Sequence, residues 1–310
     1  MARVAIVIIT YNSAEEIGGC LDALLGLTDI ELLVIDNASS DATRVEVLAR
    51  NVRMITNPTN AGFAAAVNQG VMSTTAPLIL LLNPDAHLVS GLDSMASFFE
   101  SRETGAVGGM LIRDNSLPDI GFMVRSLPAP TALIFEVLGI NRIWPRNPVN
   151  WHYRCLAMSP MATAEVDQPA GAFLMLSRQA WRAIGGFDER FWPVWFEDVD
   201  FCARLKSAGF RTYYTPKGVA KHPGSHSIRK LPLENRERYW YGSLLEYAGK
   251  HYGSSAFRAV CAAVIVGAFL RGVAAFPRAG FKAFAVYGGV ISLALSRFFG
   301  PGESAKASVV

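Results

Sequence analysis

The chain has 310 residues, enough for one large domain or a domain with an appendage, and 51% of them are apolar. Charged residues make up only 18%, which is low for a soluble enzyme and hints at membrane contact, while a net charge of +3 is too small to indicate nucleic-acid binding. The four cysteines are scattered and form no C-x-x-C pair, which argues against a disulfide framework and a zinc site and favours a reducing cytoplasm.

Strand-like and helix-like patterns alternate over the first 111 residues. Val4–Thr10 is a β-branched run typical of a strand buried on both faces, and its apolar core is too short for a signal peptide. Ser13 and Glu16 predict a capping box for the helix that follows. Further strands are predicted over 30–35, 53–56, 78–82 and 106–111, and helices over 43–50, 63–71 and 92–101. This alternation predicts an α/β fold with a largely parallel sheet, whose ligands gather at the carboxyl ends of the strands.

Residues 112–168 are predicted to be irregular because six prolines interrupt them. Regular elements resume with a strand over 172–176, a helix over 197–208 and a strand over 210–215.

The C-terminal part differs from the rest in charge. Between Tyr247 and Gly302 there is no Asp or Glu, and two uncharged apolar runs, 259–270 and 283–296, lie between basic residues. Each run is shorter than the roughly 20 residues of a spanning helix, so we expect helices that lie in a membrane interface over anionic lipid. The alternatives are a helical pair packed on the domain or on a second subunit, and a single span over 256–276.

Two acids follow predicted strands directly. Asp36 is placed to accept the imide N–H of a uracil or thymine, or to cap the next helix as an ordinary turn residue. In Asn83-Pro84-Asp85, a carboxylate on a rigid turn suits a hard cation, Mg²⁺ or Mn²⁺, bridging a diphosphate; the alternative is a simple turn.

A third acidic cluster, Glu197-Asp198-Val199-Asp200, opens a helix after a run of aromatic residues. Acids in a first helical turn are stabilised by the helix dipole, which is their ordinary role. Beside Trp195, however, they also describe a sugar site in which a carboxylate takes a proton from a hydroxyl. His222 is either structural or, beside a metal, a ligand. The absence of G-x-G-x-x-G after the first strand, of a P-loop and of G-x-S-x-G disfavours dinucleotide-binding proteins, P-loop enzymes and α/β-hydrolases.

Together these segments resemble the family 2 glycosyltransferases, and among them the bacterial rhamnosyltransferases. The matching runs, in order, are VIITYN (7–12), VIDNASSD (34–41), NAGFAAAVNQG (60–70), LNPD (82–85), GAFLM (171–175), GGFDE (185–189), FEDVDF (196–201) and HPG (222–224). The resemblance implies the GT-A fold, a Rossmann-like, mostly parallel mixed sheet flanked by helices, here with a C-terminal apolar helical appendage. It divides the chain into a glycosyltransferase domain, 1–252, made of a nucleotide-binding half (1–111) and an acceptor half (112–252), and a membrane-associating segment, 253–310.

The resemblance also implies roles for individual residues. Asp198 is the expected catalytic base with Glu197 beside it, and Asp85 and His222 are the expected ligands of a divalent cation. The expected substrate-binding residues are Thr10, Tyr11, Asn12, Asp36, Asn37, Asn60, Gly62, Asn68, Asn83 and Trp195. Asn83 stands where the family's D-x-D motif has its first acid, so we expect metal binding to depend on the donor diphosphate.

The expected function is inverting transfer of a sugar, L-rhamnose from dTDP-L-rhamnose, to a lipid-linked or polysaccharide acceptor in cell-surface glycan biosynthesis. We expect the protein to bind peripherally to the inner face of the cell membrane through residues 256–299. A homo-oligomer is possible, and no nucleic-acid partner is expected. The alternatives are a hexosyltransferase that uses a UDP-sugar and a non-catalytic homologue that binds glycans or scaffolds a complex. A nucleotidyltransferase is disfavoured, because the loop after the first strand carries two acids and no basic residue.

Overall fold

A computed structural model describes residues 3–223 and 231–300. Within these residues the chain forms two compact units. The first consists of the described parts of Met1–Leu127, Arg154–Pro193 and Glu197–Lys230, and the second of Pro128–Tyr153, Val194–Phe196 and the described part of Leu231–Val310.

The first unit is built on a nine-stranded sheet and a separate two-stranded ribbon. The strands are β1 (Val4–Thr10), β2 (Ile30–Asp36), β3 (Arg53–Thr56), β4 (Leu78–Leu82), β5 (His87–Ser90), β6 (Thr104–Ile112), β7 (Val124–Arg125), β8 (Ala164–Glu165), β9 (Gln168–Pro169), β10 (Phe173–Ser177) and β11 (Arg211–Lys221). The sheet runs in the order β3-β2-β1-β4-β10-β6-β11-β5, with β8 on β11, and β7 pairs with β9. Apolar runs such as Val4–Thr10 form central strands because both faces of the sheet are covered.

Strand β1 pairs in parallel with both β2 and β4, so the residues that follow these three strands meet at one edge of the sheet. Strand β10 is antiparallel to β4 and to β6 and lies between them. It therefore begins at the edge where β4 ends. The sheet is mixed, as expected, with β10, β5 and β8 paired in antiparallel orientation.

Helices cover the sheet of the first unit. They are α1 (Ile17–Asp22), α2 (Thr43–Ala49), α3 (Phe63–Met72), α4 (Leu92–Ala96), α8 (Arg178–Ala183) and α9 (Glu197–Ser207). Two buried apolar clusters result. One is centred on Ile6, Ile8 and Leu80, and the other on Val7, Ile35 and Leu81, as expected for strands whose alternate side chains face opposite layers.

Most predicted elements are confirmed, but the helix starts are less regular than the pattern suggested. The capping box at Ser13 is wrong: its hydroxyl donates to the carbonyl of Tyr11, and α1 begins only at Ile17. The helix expected over 92–101 is α-helical only to Ala96 and continues as a 3-10 helix over Ser97–Glu100. Between 112 and 168 the chain is less irregular than predicted, since two of its prolines begin short helices.

The second unit is helical in its described part. Its helices are α5 (Pro130–Val137), α6 (Ile140–Ile143), α7 (Pro148–Tyr153), α10 (Leu233–His251), α11 (Ser254–Ala279) and α12 (Phe281–Phe299). Helix α11 packs on α5 at a close approach, where a Cβ added to Gly267 would lie 2.0 Å from the carbonyl oxygen of Val137. One turn later, the Arg271 guanidinium donates to the carbonyl oxygens of Val137 and, at 3.1 Å, Glu136. A cation thus caps the C-terminal end of α5.

Helices α11 and α12 extend beyond the uncharged runs seen in the sequence. By length and composition alone, both are long and apolar enough to cross a membrane, with 26 and 19 residues. Many of their apolar side chains are exposed, including Phe269, Phe276, Phe281 and Phe299.

Candidate active site

The loops after β1 and β2 are joined through Asp36. This carboxylate is fully buried and accepts hydrogen bonds from the hydroxyl of Thr10 at 3.2 Å and the backbone N–H of Ser39 at 3.2 Å. The guanidinium of Arg44 lies 3.3 Å from it, and this ion pair compensates the cost of burying the charge. The structure therefore brings Thr10 and Asp36 together, as predicted.

Asn12 and Tyr11 continue this junction. Asn12 has a positive φ of 52°, which asparagine tolerates better than most residues, and its amide oxygen accepts from the backbone N–H of Ser40 at 2.8 Å. Tyr11 keeps 40% of its surface exposed, so its ring is available to a ligand at the rim of the sheet.

A network of asparagine side chains holds the loop before α3. The amide of Asn37 donates to the side-chain oxygen of Asn60 at 2.9 Å and to the carbonyl of Gly62 at 3.2 Å. Gly62 has a φ of 89°, and a Cβ there would lie 2.7 Å from the indole of Trp192. That indole is half exposed and covers the loop. The network fixes three predicted donor-binding residues in one place.

Asn68 occupies a different environment from the other predicted substrate-binding residues. Its amide donates to the carbonyl of Phe187 at 2.9 Å and to Glu189 at 3.0 Å, and its oxygen accepts from the N–H of Phe187 and the indole of Trp181. All four hydrogen-bonding positions of the side chain are thus used within the protein. The geometry supports a structural role for Asn68, holding the Gly185–Glu189 turn on α3.

Asp85 and His222 meet although they are far apart in the sequence. Asp85 follows β4 and His222 follows β11, and the Nε2 of the histidine lies 3.3 Å from the Oδ1 of the aspartate. Both side chains are buried, and the imidazole stacks on the ring of Phe122 with a centroid distance of 5.6 Å. The backbone N–H of His222 donates to Ile112, which fixes the end of β11 beside β6.

The chemistry of this pair suits a divalent cation. A carboxylate oxygen and an imidazole nitrogen are suitable ligands, and within residues 3–223 and 231–300 no cluster of three or more such residues is found. The Nδ1 of His222 is buried and has no hydrogen-bond partner in the described part of the chain. Two protein ligands leave the remaining positions to diphosphate oxygens and water, the usual arrangement for Mg²⁺ beside phosphates.

Asp198 lies in the first turn of α9 and is held by three donors. Its Oδ2 accepts from the side chain of Gln168 at 3.0 Å and from the backbone N–H of Gly171 at 2.9 Å, and its Oδ1 accepts from Val199. A Cβ on Gly171 would lie 3.1 Å from the Asp198 side chain, so a glycine allows this close approach. Burial raises the pKa of Asp198, while the Gly171 hydrogen bond and the charge of Arg125 oppose that rise. A raised pKa suits a carboxylate that must accept a proton.

The two residues before β10, Gly171 and Ala172, connect Asp198 with the turn that carries Asp85. The residue after Gly171, Ala172, accepts a hydrogen bond from the backbone N–H of Asn83 at 3.0 Å. Asn83 opens the Asn83–Ala86 turn, and its own carbonyl accepts from the Cys20 thiol. The expected base and the expected metal ligands therefore lie at the same edge of the sheet.

Two further predicted residues, Trp195 and Glu197, precede Asp198 in the sequence. Glu197 is buried at the start of α9, next to Asp198. Trp195 belongs to the short segment Val194–Phe196 of the second unit, where Phe196 packs near Trp240 and Tyr247, so its contact with a substrate stays a prediction.

Sequence reasoning missed Gln168 and Arg125. Both act on Asp198, Gln168 by a hydrogen bond and Arg125 through its charge. Neither stands in a local pattern, because the β7–β9 ribbon that carries them has only two residues in each strand.

Comparison with solved structures defines the class of protein. The fold is shared by a mannosyltransferase from Pyrobaculum calidifontis, solved with GDP-Man and Mn²⁺ (TM-score 0.54, 18% identity, 94% of this chain and 80% of that one). It is also shared by S. aureus TarS 1-349, solved with UDP-GlcNAc (TM-score 0.55, 12% identity, 96% and 82%). The protein therefore has the GT-A fold.

Sequence comparison narrows this class. Residues 5–156 match the model of glycosyl transferase family 2, and residues 152–226 match the N-terminal domain of galactosyltransferase. The chain is 28% identical over 267 residues to the N-acetylglucosaminyl-diphospho-decaprenol L-rhamnosyltransferase of Mycobacterium tuberculosis (CDC 1551), covering 80% of this chain and 85% of that protein. These matches identify a glycosyltransferase that resembles the family 2 enzymes and, among them, the rhamnosyltransferases.

Proposed function

We propose that this enzyme transfers L-rhamnose from dTDP-L-rhamnose, with inversion, to a lipid-linked glycan acceptor at the inner face of the cell membrane. One observation carries the proposal: the half-buried carboxylate of Asp198 is linked through Gly171, Ala172 and Asn83 to the turn that bears Asp85. A proton acceptor and a diphosphate site are thereby held at one edge of the sheet, as a displacement at a sugar carbon requires.

Asp198 acts as the general base. Its Oδ2 is occupied by two donors and its Oδ1 by one, so Oδ1 is the oxygen that takes the proton from the acceptor hydroxyl. The deprotonated oxygen attacks the anomeric carbon from the face opposite the nucleotide, and the bond to the diphosphate breaks. A single displacement inverts that centre, so a β-linked donor yields an α-linked product.

Asp85 and His222 would hold a divalent cation, Mg²⁺ or Mn²⁺, at this site. Bound there, the cation would neutralise charge on the leaving nucleotide. Asn83 supplies no charge to this site, which supports a cation site that depends on bound donor. The nucleoside is bound by the residues that follow β1 and β2 and by the loop before α3, namely Thr10, Tyr11, Asn12, Asp36 and residues 60–62. Asn37 holds this last loop in place through its hydrogen bonds.

The choice of donor rests on the mycobacterial relative, whose name specifies rhamnosyl transfer to N-acetylglucosaminyl-diphospho-decaprenol. The solved structures of the same fold contain GDP-Man and UDP-GlcNAc, so the fold by itself is compatible with other bases and sugars. A UDP-sugar is therefore the alternative that the first experiment must separate.

Membrane association follows from the surface of the second unit. Helices α11 and α12 expose large apolar side chains, and the described part of this segment contains basic residues and no acids. Apolar surface flanked by Arg and Lys binds anionic lipid, which brings the enzyme to a polyprenyl-linked acceptor.

A donor screen tests the function. Purified protein with Mn²⁺ is offered dTDP-rhamnose, UDP-glucose, UDP-N-acetylglucosamine and GDP-mannose with N-acetylglucosaminyl-diphospho-polyprenol, and released nucleotide is measured. The variants are Asp85→Asn and Asp198→Asn, with Asp93→Asn as the control because its side chain is 95% exposed.

We expect turnover with dTDP-rhamnose alone. Asp198→Asn should bind donor normally and lose at least 100-fold in kcat, whereas Asp85→Asn should lose the metal dependence of donor binding. Turnover with a UDP-sugar instead would keep the mechanism and replace the donor. Full activity in Asp198→Asn would refute the assignment of the base.

A further inference from the structure

The last residues of α6 and the turn that leads to α7 expose apolar side chains to solvent. This segment, residues 142–146, is called the α6–α7 turn below. Ile143 is 87% exposed and Trp144 is 56% exposed, and the five consecutive residues from Arg142 to Arg146 are all exposed. Single exposed apolar residues are common on protein surfaces. A tryptophan and an isoleucine side by side, between two arginines, form a more specific surface.

The backbone of this turn is held rigidly from beneath. Asn147 is fully buried, and its amide donates to Asn141 at 2.9 Å and to the carbonyl of Trp144 at 2.7 Å. Asn150 is buried as well and donates to the carbonyl of Pro145 at 2.7 Å, while its backbone N–H donates to Asn147 at 2.8 Å. Buried amides with satisfied hydrogen bonds give a turn one conformation. The apolar side chains are thus held outward rather than left exposed by a mobile loop.

The charge of the turn is positive throughout. Arg142 and Arg146 flank Ile143 and Trp144, and neither forms an ion pair within the described part of the chain. The nearest acid in the sequence, Glu136, accepts a hydrogen bond from Asn141 at 2.7 Å. Tryptophan is enriched at membrane–water interfaces, and arginine can extend its charge to lipid phosphates while its stem stays in an apolar layer.

We propose that the turn from Arg142 to Arg146 is a lipid-binding anchor that inserts Ile143 and Trp144 into the interface of an anionic bilayer. It is a second contact, separate in sequence from α11 and α12, and both belong to the second unit. The proposal rests on the membrane association proposed above. It adds that the short α6–α7 turn, and not only the long helices, determines how strongly the enzyme binds lipid.

Vesicle flotation tests the apolar part. The full-length chain is mixed with vesicles of phosphatidylcholine alone or with one quarter phosphatidylglycerol. The test variant is Ile143→Ser with Trp144→Ser, and the control is Val45→Ser with Leu48→Ser, two residues of the first unit that are each 65% exposed. We expect the test variant to bind anionic vesicles about tenfold more weakly, because the two side chains no longer gain free energy by moving from water into the bilayer interface. The control should bind as the parent does.

The basic part is tested with Arg142→Gln and Arg146→Gln together. Two arginines near an anionic surface strengthen the partitioning of the protein onto vesicles by about thirty-fold. The double variant should therefore bind vesicles with phosphatidylglycerol about thirty-fold more weakly and bind vesicles of phosphatidylcholine alone as the parent does. The charge-matched control is Arg102→Gln with Arg182→Gln, both exposed positions of the first unit.

Three results would overturn the proposal. If Ile143→Ser with Trp144→Ser binds vesicles like the parent, the turn does not contact lipid. If it instead converts a dimer to a monomer, the turn is a contact between two copies of the chain. If the parent protein binds no vesicles, the anchor and the membrane association both fail. Nucleotide release with a detergent-solubilised acceptor still decides the glycosyltransferase activity separately.

Discussion

Replacing Gln168 by methionine should shift the pH dependence of catalysis. The amide of Gln168 is one of three donors to the Asp198 carboxylate, at 3.0 Å, and methionine keeps the length of the side chain without the donor. A hydrogen bond to a charged group contributes about 1.5–3 kcal/mol, and we take the lower end because Asp198 is partly exposed. Because this hydrogen bond favours the charged form, its removal should raise the pKa of Asp198 further.

The sign of the effect follows from the role of the group. A general base is active only when deprotonated, so a higher pKa moves the acid limb of the kcat/KM profile to higher pH. Rates well above that limb should change little. The assay is nucleotide release from saturating donor with varied acceptor between pH 4.5 and 9, with Gln179→Met, at an exposed position, as the control.

The result that would refute the reasoning is an acid limb in the Gln168→Met protein that stays in place or moves to lower pH. Either outcome would mean that the titrating group is not Asp198, or that Gln168 does not stabilise its charged form. A uniform loss at every pH with no shift would identify Gln168 as a positioning residue only.

Three other substitutions test separate parts of the structure. Gly62→Ala should lower the free energy of unfolding by about 1–3 kcal/mol and weaken donor binding, while Gly139→Ala, with a similar φ of 76° but nothing within 4 Å of an added Cβ, should show only the backbone strain. Urea unfolding and donor titration separate the two effects, and equal losses would argue against the contact with the indole. Asn68→Ala should lower stability by about 2 kcal/mol or more and leave the donor KM unchanged, because its hydrogen bonds are internal; a raised KM with normal stability would restore its substrate-binding role. Arg271→Met removes the cap of α5 and should lower the free energy of unfolding by about 1–3 kcal/mol, measured by urea unfolding. Arg278→Met, at an exposed position, should leave the free energy of unfolding unchanged, and equal effects would contradict the capping role.

The sequence predicted the sheet better than the connections between its strands. The apolar runs that became β1 and β4 have the predicted bounds because burial on both faces requires an uninterrupted apolar stretch. Strand β3 also has its predicted bounds, although it lies at the edge of the sheet and is exposed at both of its ends. The capping box at Ser13 failed because the loop bonds across to the next loop, where the hydroxyl of Thr43 accepts from the N–H of Ser13 at 2.8 Å. A contact between residues distant in the sequence has no local signature.

The same limit applies to the site. Asp85 and Asp198 were recognisable because each lies in a motif beside a strand or helix end. Gln168 was not, since only the folded ribbon places it on Asp198, and Asn68 was assigned to the substrate because its motif position does not show where its amide points. Sequence patterns located the acids, and the hydrogen-bond partners came from tertiary structure.

The position of β11 in the sheet has a consequence for biosynthesis. Strand β11 is parallel to β6 and antiparallel to β5. His222 follows the C-terminal end of β11, and only this end of the strand brings it to Asp85. A nascent chain emerging from the ribosome can assemble β1 to β4 and the nucleoside loops early. The cation pair, however, is completed only after residue 222 has left the exit tunnel. A truncated translation product would therefore retain the loops proposed to bind the nucleoside but lack the pair of residues proposed to hold the cation.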